Sequence, residues 1–451
     1  MPRLFANLAV ALASLALVSG AARAAAEAPA VLYRGATLID GTGSPERPGM
    51  AILVREGRIE RIAPAADFPP GAAAKVVDVS GLYVFPGLIN SHEHLATPPD
   101  RVWAEAMMKK DLYGGVTAVR DMADDLRQVA DLARAALVGE IPGPDIYYAA
   151  LMAGPEFFDD PRTHQTTRGA VAGQVPWMQA VTPATDLTIA VALARGTGAS
   201  AIKIYADLPA DLVAAITAEA HRQGILVWAH AAVFPASPAQ VIGAGVDTVS
   251  HTCMLAYQAS DAMPRAYHNR AAVDEARFAG GDNPIVERLF EEMRRRGTIL
   301  DATLYVYGEM ATEHAAHPGG PAPYCSPGLA QRLTGEAYRD GVLISAGTDA
   351  FSPVADPWPS LLDELELLQD KAGMKSADVI ASATVVGART MRLQAQMGTL
   401  EAGKLANMVF TRADPTADVR ALRTVVLTVK RGAPYWRRDY APPTSLPEPG
   451  E

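Results

Sequence analysis

The stretch PGLINSHEH, residues 86–94, places His92 and His94 directly after an apolar strand pattern. In a strand, side chains at i and i+2 share a face, so both imidazoles can reach one metal ion. The alternative is a pair of surface histidines in a loop. The stretch alone does not distinguish a metal-binding pair from a surface pair. The rest of the chain is needed to decide.

Seven more strand patterns come after the first, and most of them are separated by helical patterns. One helical pattern covers residues 209–224, with Pro209 near its start and Gly224 just past its end. This alternation favours an α/β fold, a parallel (β/α)8 TIM-type barrel, over a doubly wound open sheet. The eight strand patterns are YVFPGLIN (83–90), GVTAVRDM (115–122), DIYYAALMAG (145–154), ASAIKIY (199–205), ILVWAH (225–230), DTVSH (247–251), TILDATLY (298–305) and GVLISAGTD (341–349).

The two ends of the chain differ from the middle region, because their pattern is of short strands separated by Gly and Pro. This pattern covers about residues 31–79 and returns in residues 398–410 and 424–436. We expect one small β-sandwich domain built from both ends. The predicted organisation is a signal peptide (1–24), the first part of the sandwich (25–84), the barrel (85–394), the second part of the sandwich (395–440) and a flexible tail (441–451).

The first 24 residues have the pattern of a secretory signal peptide. Arg3 precedes an apolar run from Leu8 to Val18, and Ala22-Arg23-Ala24 forms a small-x-small cleavage signal. A membrane anchor is the alternative, but this run is too short for a bilayer core that needs about 20 apolar residues. We therefore expect an exported protein, periplasmic or secreted, with no stable membrane anchor after cleavage.

Composition excludes several classes of protein. The chain has 451 residues, of which 49% are hydrophobic and 20% charged, as expected for a compact globular protein. Removal of Arg3 and Arg23 with the signal changes the formal charge from −10 to −12, and no dense Lys/Arg block is present, so nucleic acid is not an expected partner. Cys253 and Cys325 allow at most one disulfide, and two free thiols remain equally open. The expected partner is a small-molecule substrate, and a homo-oligomer stays possible.

Four further residues that can bind metal fall at the C-terminal ends of later predicted strands. In a (β/α)8 barrel these ends converge on one mouth, where the active site is found. Together with the two histidines of the opening stretch they predict a metal site in that mouth. The four are Lys203, His230, His251 and Asp349.

This arrangement resembles the amidohydrolase superfamily pattern: HxH after strand one, Lys on strand four, His on strands five and six, and Asp on strand eight. The resemblance covers nearly all of the mature chain and is closest to the branch of imidazolonepropionase-like proteins and dipeptidases of Xaa-Pro or Xaa-Arg type. It includes LIDGTG (38–43), FPGLINSHEH (85–94), GVTAVRD (115–121), AGVDTVSH (244–251), AGTDA (346–350) and GTLEAGKLANMV (398–409).

The resemblance implies two divalent metal ions, with zinc the expected element. His92, His94 and Asp349 would bind one ion, and His230 and His251 the second. Lys203, carboxylated by carbon dioxide to a carbamate, would bridge them; an ammonium between two isoleucines of a barrel strand is otherwise costly. The alternative is that Lys203 stays an amine paired with a carboxylate, as a one-metal site would allow.

The function implied is hydrolysis of a C–N bond, amide or peptide-like, in a small substrate such as a dipeptide or an N-acyl amino acid. A metal-activated hydroxide would attack, and Asp349 would carry the proton to the leaving nitrogen. The chain departs from the family at two places. Residues 230–233 read HAAV where many relatives have HAHG, and Ser250 stands where relatives often have Glu. The alternatives are a one-metal cyclic-amide hydrolase or deaminase, and a non-catalytic periplasmic binding protein.

Three weaker predictions concern residues beside the expected ligands. Tyr205 shares a strand face with Lys203 and could donate to a developing oxyanion, although a packed tyrosine is an equal alternative. His164, in a predicted loop after strand three, could contact substrate or be a solvated loop residue. Arg120 and Asp121, after strand two, are expected to form a structural ion pair.

Overall fold

The computed structural model describes residues 29–268, 270–320, 322–443 and 446. The predicted signal peptide, residues 1–24, lies outside the described residues, as does most of the predicted tail. Within them the strands are β1 (Val31–Leu38), β2 (Arg47–Arg55), β3 (Arg58–Pro64), β4 (Lys75–Asp78), β5 (Tyr83–Pro86), β6 (Leu88–Glu93), β7 (Val116–Asp121), β8 (Asp145–Ala153), β9 (Gln174–Val175), β10 (Met178–Ala180), β11 (Ala201–Ile204), β12 (Leu226–His230), β13 (Thr248–Ser250), β14 (Ile299–Asp301), β15 (Ile344–Ser345), β16 (Met408–Thr411), β17 (Val425–Lys430) and β18 (Ala433–Trp436).

Helices lie between most strands of the middle region. The α-helices are α1 (Arg101–Tyr113), α2 (Leu126–Leu137), α3 (Pro161–Thr166), α4 (Leu187–Gly196), α5 (Ala210–Arg222), α6 (Pro238–Gly243), α7 (Pro284–Arg296), α8 (Leu304–Ala316), α9 (Pro327–Arg339), α10 (Ser360–Asp370), α11 (Ser376–Ser382) and α12 (Val385–Thr390). Short 3₁₀ helices include Pro155–Asp159, Thr252–Ala259 and Glu275–Phe278. No helix in the described part of the chain is both long and apolar enough to cross a membrane.

Eight parallel strands form the predicted (β/α)8 barrel, which the structure confirms. Their order around the barrel is β6, β7, β8, β11, β12, β13, β14 and β15. The barrel closes between its first and last strands, where the Ser91 N–H donates to the carbonyl of Ala346 at 2.8 Å. The ring of strands therefore brings all eight C-terminal ends to one mouth.

The first predicted strand, residues 83–90, consists of two strands in the structure. β5 pairs with β1 and β16 in the terminal sheet, whereas β6 pairs with β7 in the barrel. Gly87 lies between them, and a Cβ atom there would come within 2.2 Å of Thr117 Oγ1. The close approach of β7 therefore requires glycine at the point where the chain passes from one sheet to the other.

The strands of the two chain ends form one mixed sheet, so both ends contribute to one β domain, as predicted. Its order is β18-β17-β16-β5-β1-β2-β3, with β4 also paired to β1. Tyr33 from β1 and Phe410 from β16 stack in its core with ring centroids 5.5 Å apart. Lys430 and Arg431 at the end of β17 both pair with Asp145 of β8, at 3.0 and 2.8 Å. The sheet is thus fastened to the barrel at the end opposite the mouth.

Cys253 and Cys325 form a disulfide, which the sequence had left open. Their Cα atoms are 6.2 Å apart, within the usual range for a bridge. The bond joins the 3₁₀ helix Thr252–Ala259, directly after β13, to the loop before α9. It therefore links two segments that border the mouth of the barrel.

Candidate metal and active site

Three of the predicted ligands meet at the mouth of the barrel. His92 lies on β6, His94 directly after it, and Asp349 just beyond β15. The Nε2 atoms of both histidines lie 3.3 Å from Asp349 Oδ1. One ligand atom from each residue falls within 4.8 Å of the others. This spacing would allow a single ion to bind all three side chains.

The other two histidines lie beside this group. The ring centroid of His251 is 5.0 Å from that of His92 and 4.8 Å from that of His230. His251 Nδ1 lies 3.0 Å from Thr303 Oγ1. His230 is buried, and its Nδ1 atom has no hydrogen-bond partner among the described residues. A buried ring nitrogen without a partner is costly unless a ligand satisfies it.

Backbone geometry at the strand ends turns two of these side chains into the mouth. His251 has φ +74° and Asp349 has φ +54°, in the left-handed region that favours glycine. Non-glycine residues held there carry backbone strain, which collects at functional sites. The strain is located where β13 and β15 end and the chain leaves the barrel.

Lys203 is fully buried on β11, and its Nζ atom lies 3.5 Å from Ser250 Oγ. In the described part of the chain no carboxylate forms an ion pair with it. Burial lowers the pKa of Lys203 to about 7, although Asp301 and Asp349 act in the opposite direction. A fraction of the side chain is therefore neutral amine near neutral pH.

Two carboxylates that the sequence did not point to contact the Nδ1 atoms of His92 and His94, on the side of each ring away from Asp349. Asp301 Oδ2 lies 2.7 Å from His92 Nδ1, and Asp124 Oδ1 lies 2.7 Å from His94 Nδ1. Such contacts fix the orientation and tautomer of a histidine ligand. Asp301 ends β14, but the predicted seventh strand ran on to Tyr305, so the strand-end argument used for Asp349 did not single it out. Asp124 lies three residues beyond β7, where no pattern marks it.

The predicted ion pair of Arg120 with Asp121 is wrong. Arg120 is fully buried and pairs with Asp301 at 3.1 Å, while its guanidinium stacks over Trp228 at 4.5 Å. Asp121 instead accepts a hydrogen bond from the Leu95 N–H at 3.0 Å. Consecutive residues of a strand point to opposite faces, so Arg120 and Asp121 could not both face the barrel interior.

Burial and neighbouring charges shift the pKa values of the site residues in different directions. Burial lowers the pKa of His251 to about 3 and that of His230 well below its usual value. For His94, burial acts in the same direction, but Asp124 and Asp349 outweigh it and raise the pKa to about 10. Burial would raise the pKa of Asp349, but the neighbouring histidines hold it well below its usual range. Asp349 is therefore ionised at neutral pH and available as ligand or base.

A cavity of about 480 Å³ opens above the metal-competent group. Tyr205 is buried in its wall, with its ring 4.0 Å from that of His230 and 4.4 Å from that of Phe157. Burial raises the pKa of Tyr205, so its hydroxyl stays protonated and can donate. The other lining residues include His94, Trp103, Leu151, Arg162, Met178, His251, Met254, Tyr267, Arg270, Val306, Met310, Tyr324, Asp349 and Phe351.

The structure does not bring His164 to this cavity. His164 lies on α3 rather than in a loop, and it is exposed. Three other residues of the same helix, Arg162, Thr163 and Thr166, line the cavity instead. A helix turns its side chains by about 100° per residue, so neighbours of a lining residue face solvent.

The donor set fits a divalent transition metal. Imidazole and carboxylate are common zinc ligands, and three protein ligands with an open position are typical of a catalytic site. Here the imidazoles of His92 and His94 and the carboxylate of Asp349 supply such a set. The partnerless Nδ1 of His230 adds a further donor close by.

Comparison with known proteins agrees with this geometry. The Amidohydrolase family model matches residues 83–434. The chain is 23% identical over 426 residues to 5-methylthioadenosine/S-adenosylhomocysteine deaminase of Symbiobacterium thermophilum. The aligned region covers 87% of this chain and 88% of that relative. It is 38% identical over 76 residues to imidazolonepropionase of Acidiphilium cryptum, which is 16% of this chain and only 18% of that relative.

Solved structures share the fold. A Xaa-Pro dipeptidase with bound methionine in its active site superposes with a TM-score of 0.71 at 21% identity, over 90% of this chain and 100% of that chain. Ochratoxinase of A. niger superposes with a TM-score of 0.69 at 21% identity, over 91% and 96%.

Proposed function

This chain belongs to the amidohydrolase family, and from that premise we propose that it is a metal-dependent hydrolase of an amide or peptide-like bond in a small substrate, such as a dipeptide or an N-acyl amino acid. The observation that carries the proposal is the meeting of His92, His94 and Asp349 under one cavity. The size of the cavity, about 480 Å³, suits a substrate of a few tens of atoms.

The residues of the chain divide the work of hydrolysis between them. A divalent metal held by His92, His94 and Asp349 would acidify water and polarise the scissile carbonyl. Asp349, ionised in the mouth, takes a proton from the attacking water and passes it to the leaving nitrogen. Tyr205, protonated in the cavity wall, donates to the oxygen that develops negative charge.

We further propose that the site holds two metal ions bridged by a carbamate on Lys203. Carbamate formation requires a neutral amine, and the buried Lys203 has no ion-pair partner in the described residues. His230 and His251 are close enough to Lys203 for its charge to act on both, and their rings lie 4.8 Å apart, so they would be donors for the second ion. Among the described residues His230 Nδ1 has no hydrogen-bond partner. Zinc is the proposed metal because imidazole and carboxylate ligands suit it.

One observation favours a one-metal hydrolase or deaminase as the second candidate. Among the described residues, His92, His94 and Asp349 are the one group of three or more His, Cys, Asp or Glu whose ligand atoms all lie within 4.8 Å of one another. The deaminase relative that aligns over most of the chain is consistent with that candidate. Metal analysis separates the two, since the first requires two ions per chain and the second requires one.

The experiment that tests the function is a substrate screen. The zinc-loaded protein is assayed against dipeptides, N-acyl amino acids, cyclic amides and aminopurine nucleosides. Cleavage of a linear amide or peptide bond is the expected result. Ammonia release from a nucleoside, or ring opening alone, would replace the proposal with the one-metal alternative.

We also propose that the protein is exported to the periplasm or secreted. The sequence pattern of residues 1–24 supports this, as does the disulfide between Cys253 and Cys325, since such bonds persist in oxidising compartments. N-terminal sequencing of the exported protein is expected to begin at Ala25. A mature protein that retains residues 1–24 would contradict the proposal.

A further inference from the structure

Two arginines line the cavity, and they differ in how their charge is balanced. Arg162 forms a two-point ion pair with Asp160, through Nε at 3.0 Å and Nη2 at 2.7 Å. Arg270 forms no ion pair in the described part of the chain. Its Nε atom is buried and has no hydrogen-bond partner within the described ranges. Arg270 is therefore a cation in the cavity wall with which no carboxylate of the described residues pairs directly.

The guanidinium of Arg270 is held in place by aromatic rings. Its Cζ atom lies 4.2 Å from the ring centroid of Tyr267 and 4.4 Å from that of Tyr324. Its Nη1 donates to the Tyr267 carbonyl at 2.8 Å. The carbonyl accepts from one donor of the guanidinium, and the Tyr257 side chain also interacts with Arg270. Nε has no partner among the described residues, so it remains for an anion, and the planar guanidinium suits a carboxylate.

The two tyrosines are themselves anchored, so the arginine is positioned before any ligand arrives. The Tyr267 N–H donates to Asp207 Oδ1 at 2.6 Å, and the hydroxyls of Tyr324 and Tyr307 lie 3.0 Å apart. Tyr324 is next to Cys325, whose disulfide joins its loop to the segment after β13. A preorganised donor loses little conformational entropy on binding.

The rest of the cavity wall does not supply a counter-charge. Among its described lining residues Asp349 is the one carboxylate, and it already contacts His92 and His94. Asp207, which accepts the Tyr267 N–H, is a nearby carboxylate whose charge acts on Arg270, but the two form no ion pair. A half-buried guanidinium without a directly paired anion is costly, and a bound carboxylate would lower that cost. The cavity wall thus has a place for one negative charge on the substrate.

We propose that Arg270 binds a free carboxylate on the amine half of the substrate. This inference rests on the proposed hydrolytic function and adds to it the feature that sets specificity: a terminal carboxylate beside the scissile amide. Dipeptides and N-acyl amino acids carry this group, whereas their C-terminal amides do not. The apolar wall formed by Leu151, Met254 and Phe351 receives the uncharged parts.

The test measures binding separately from catalysis. The probe is a Leu-Leu analogue in which CH2–NH replaces the scissile amide, so that it cannot be hydrolysed, prepared as the C-terminal acid and as the C-terminal carboxamide. Calorimetry on the metal-loaded protein is expected to show the acid binding about 10- to 100-fold more tightly than the carboxamide, the range for a charge-assisted hydrogen bond. In Arg270→Gln the two forms are expected to bind within about threefold of each other.

Two variants control for general damage. Arg270→Lys keeps the charge but loses the planar guanidinium, and is expected to retain part of the preference. Arg127→Gln removes an arginine that pairs with Asp125 and stacks over Trp177 outside the cavity lining, and is expected to change the preference by less than about threefold. Thermal melting of each variant checks that the fold is kept.

The outcome is distinguishable from that of the substrate screen. Equal binding of acid and carboxamide to the parent protein, no binding of either, or an unchanged preference in Arg270→Gln would each overturn the role of Arg270, even if amides are hydrolysed. Conversely, an acid preference lost in Arg270→Gln supports the role even if the screen assigns another reaction to the site.

Discussion

Asp301 Oδ2 lies 2.7 Å from the Nδ1 atom of His92, and both side chains are buried. The same oxygen accepts hydrogen bonds from Arg120 at 3.1 Å and from Ser250 at 3.0 Å. One carboxylate atom of Asp301 thereby orients the ring of His92 and neutralises the charge of Arg120. Burial would raise the pKa of Asp301, but His92 and Arg120 hold it below its usual value.

Asp301→Asn is expected to weaken metal binding about 10- to 100-fold, because the ring of His92 loses the anion that orients it. Chelator competition measures the affinity. Asp247→Asn is the matched control: Asp247 makes a similar 2.8 Å contact with His221, away from the metal site, and its loss is expected to leave affinity unchanged. Equal affinities in Asp301→Asn and the parent would show that the contact has no role in metal binding.

Asp349→Asn is expected to keep more metal than activity. Asn can still coordinate weakly but cannot accept a proton, so kcat is expected to fall about 10²- to 10⁴-fold while a substantial part of the metal remains. His92→Ala and His94→Ala are the comparison, since each leaves the ion with an incomplete shell and is expected to lose metal and activity together. Metal content and initial rates are measured on the same preparations. Turnover of Asp349→Asn at the parent rate would exclude the proton-transfer role.

Lys203→Ala is expected to lose the bridging ligand, much of the metal and nearly all activity. Acetate or propionate can occupy the space and supply a carboxylate, so either is expected to restore part of the rate. Lys203→Arg is the matched control that these acids cannot rescue, because its cation stays in place and repels the metals. A single, fully occupied metal beside an unmodified lysine amine, in protein prepared with bicarbonate, would favour the one-metal alternative.

Glu364 is expected to make stability depend on pH. It is fully buried on α10, where it accepts the Tyr305 N–H at the start of α8, and burial raises its pKa to about 8. The folded state then binds more protons than the unfolded state between about pH 4.5 and 8, so stability falls as pH rises through that window. In Glu364→Gln, this fall is expected to shrink by on the order of 2–4 kcal/mol. Urea unfolding at pH 5 and pH 8 measures it, and parallel pH profiles for both proteins would count against the assignment.

The barrel could be predicted because short apolar runs alternate with helical patterns along the middle of the chain. Polar residues at or near the ends of those runs located Lys203, His230, His251 and Asp349. Asp301 was missed because the predicted seventh strand, residues 298–305, ran past it, whereas β14 ends there. The boundary between the two sheets could not be predicted, because YVFP continues through Gly87 into the apolar Leu88 and Ile89 with no polar residue between them. Tertiary pairing decides which sheet each segment joins, and that information is not local.

The cavity wall was the least predictable part of the site. Arg162 lies on a six-residue helix and Arg270 in a loop, and neither has a sequence pattern that points to the mouth of the barrel. Their positions depend on long insertions after β8 and β13. Loops of this kind carry specificity because the scaffold leaves them free to vary.

The pairing of β5 with β16 has a consequence for how the protein is made. Phe85 lies opposite Val409, so the residues that complete the sheet are synthesised more than 300 positions after those that begin it. Until then the growing polypeptide presents the edge of β5 with its hydrogen-bonding groups unpaired, a template for aggregation. A chain that ends before Met408 is therefore expected to be an aggregation-prone fragment rather than a shorter active enzyme. A chaperone that covers the edge of β5 is expected to raise the yield of full-length folded protein.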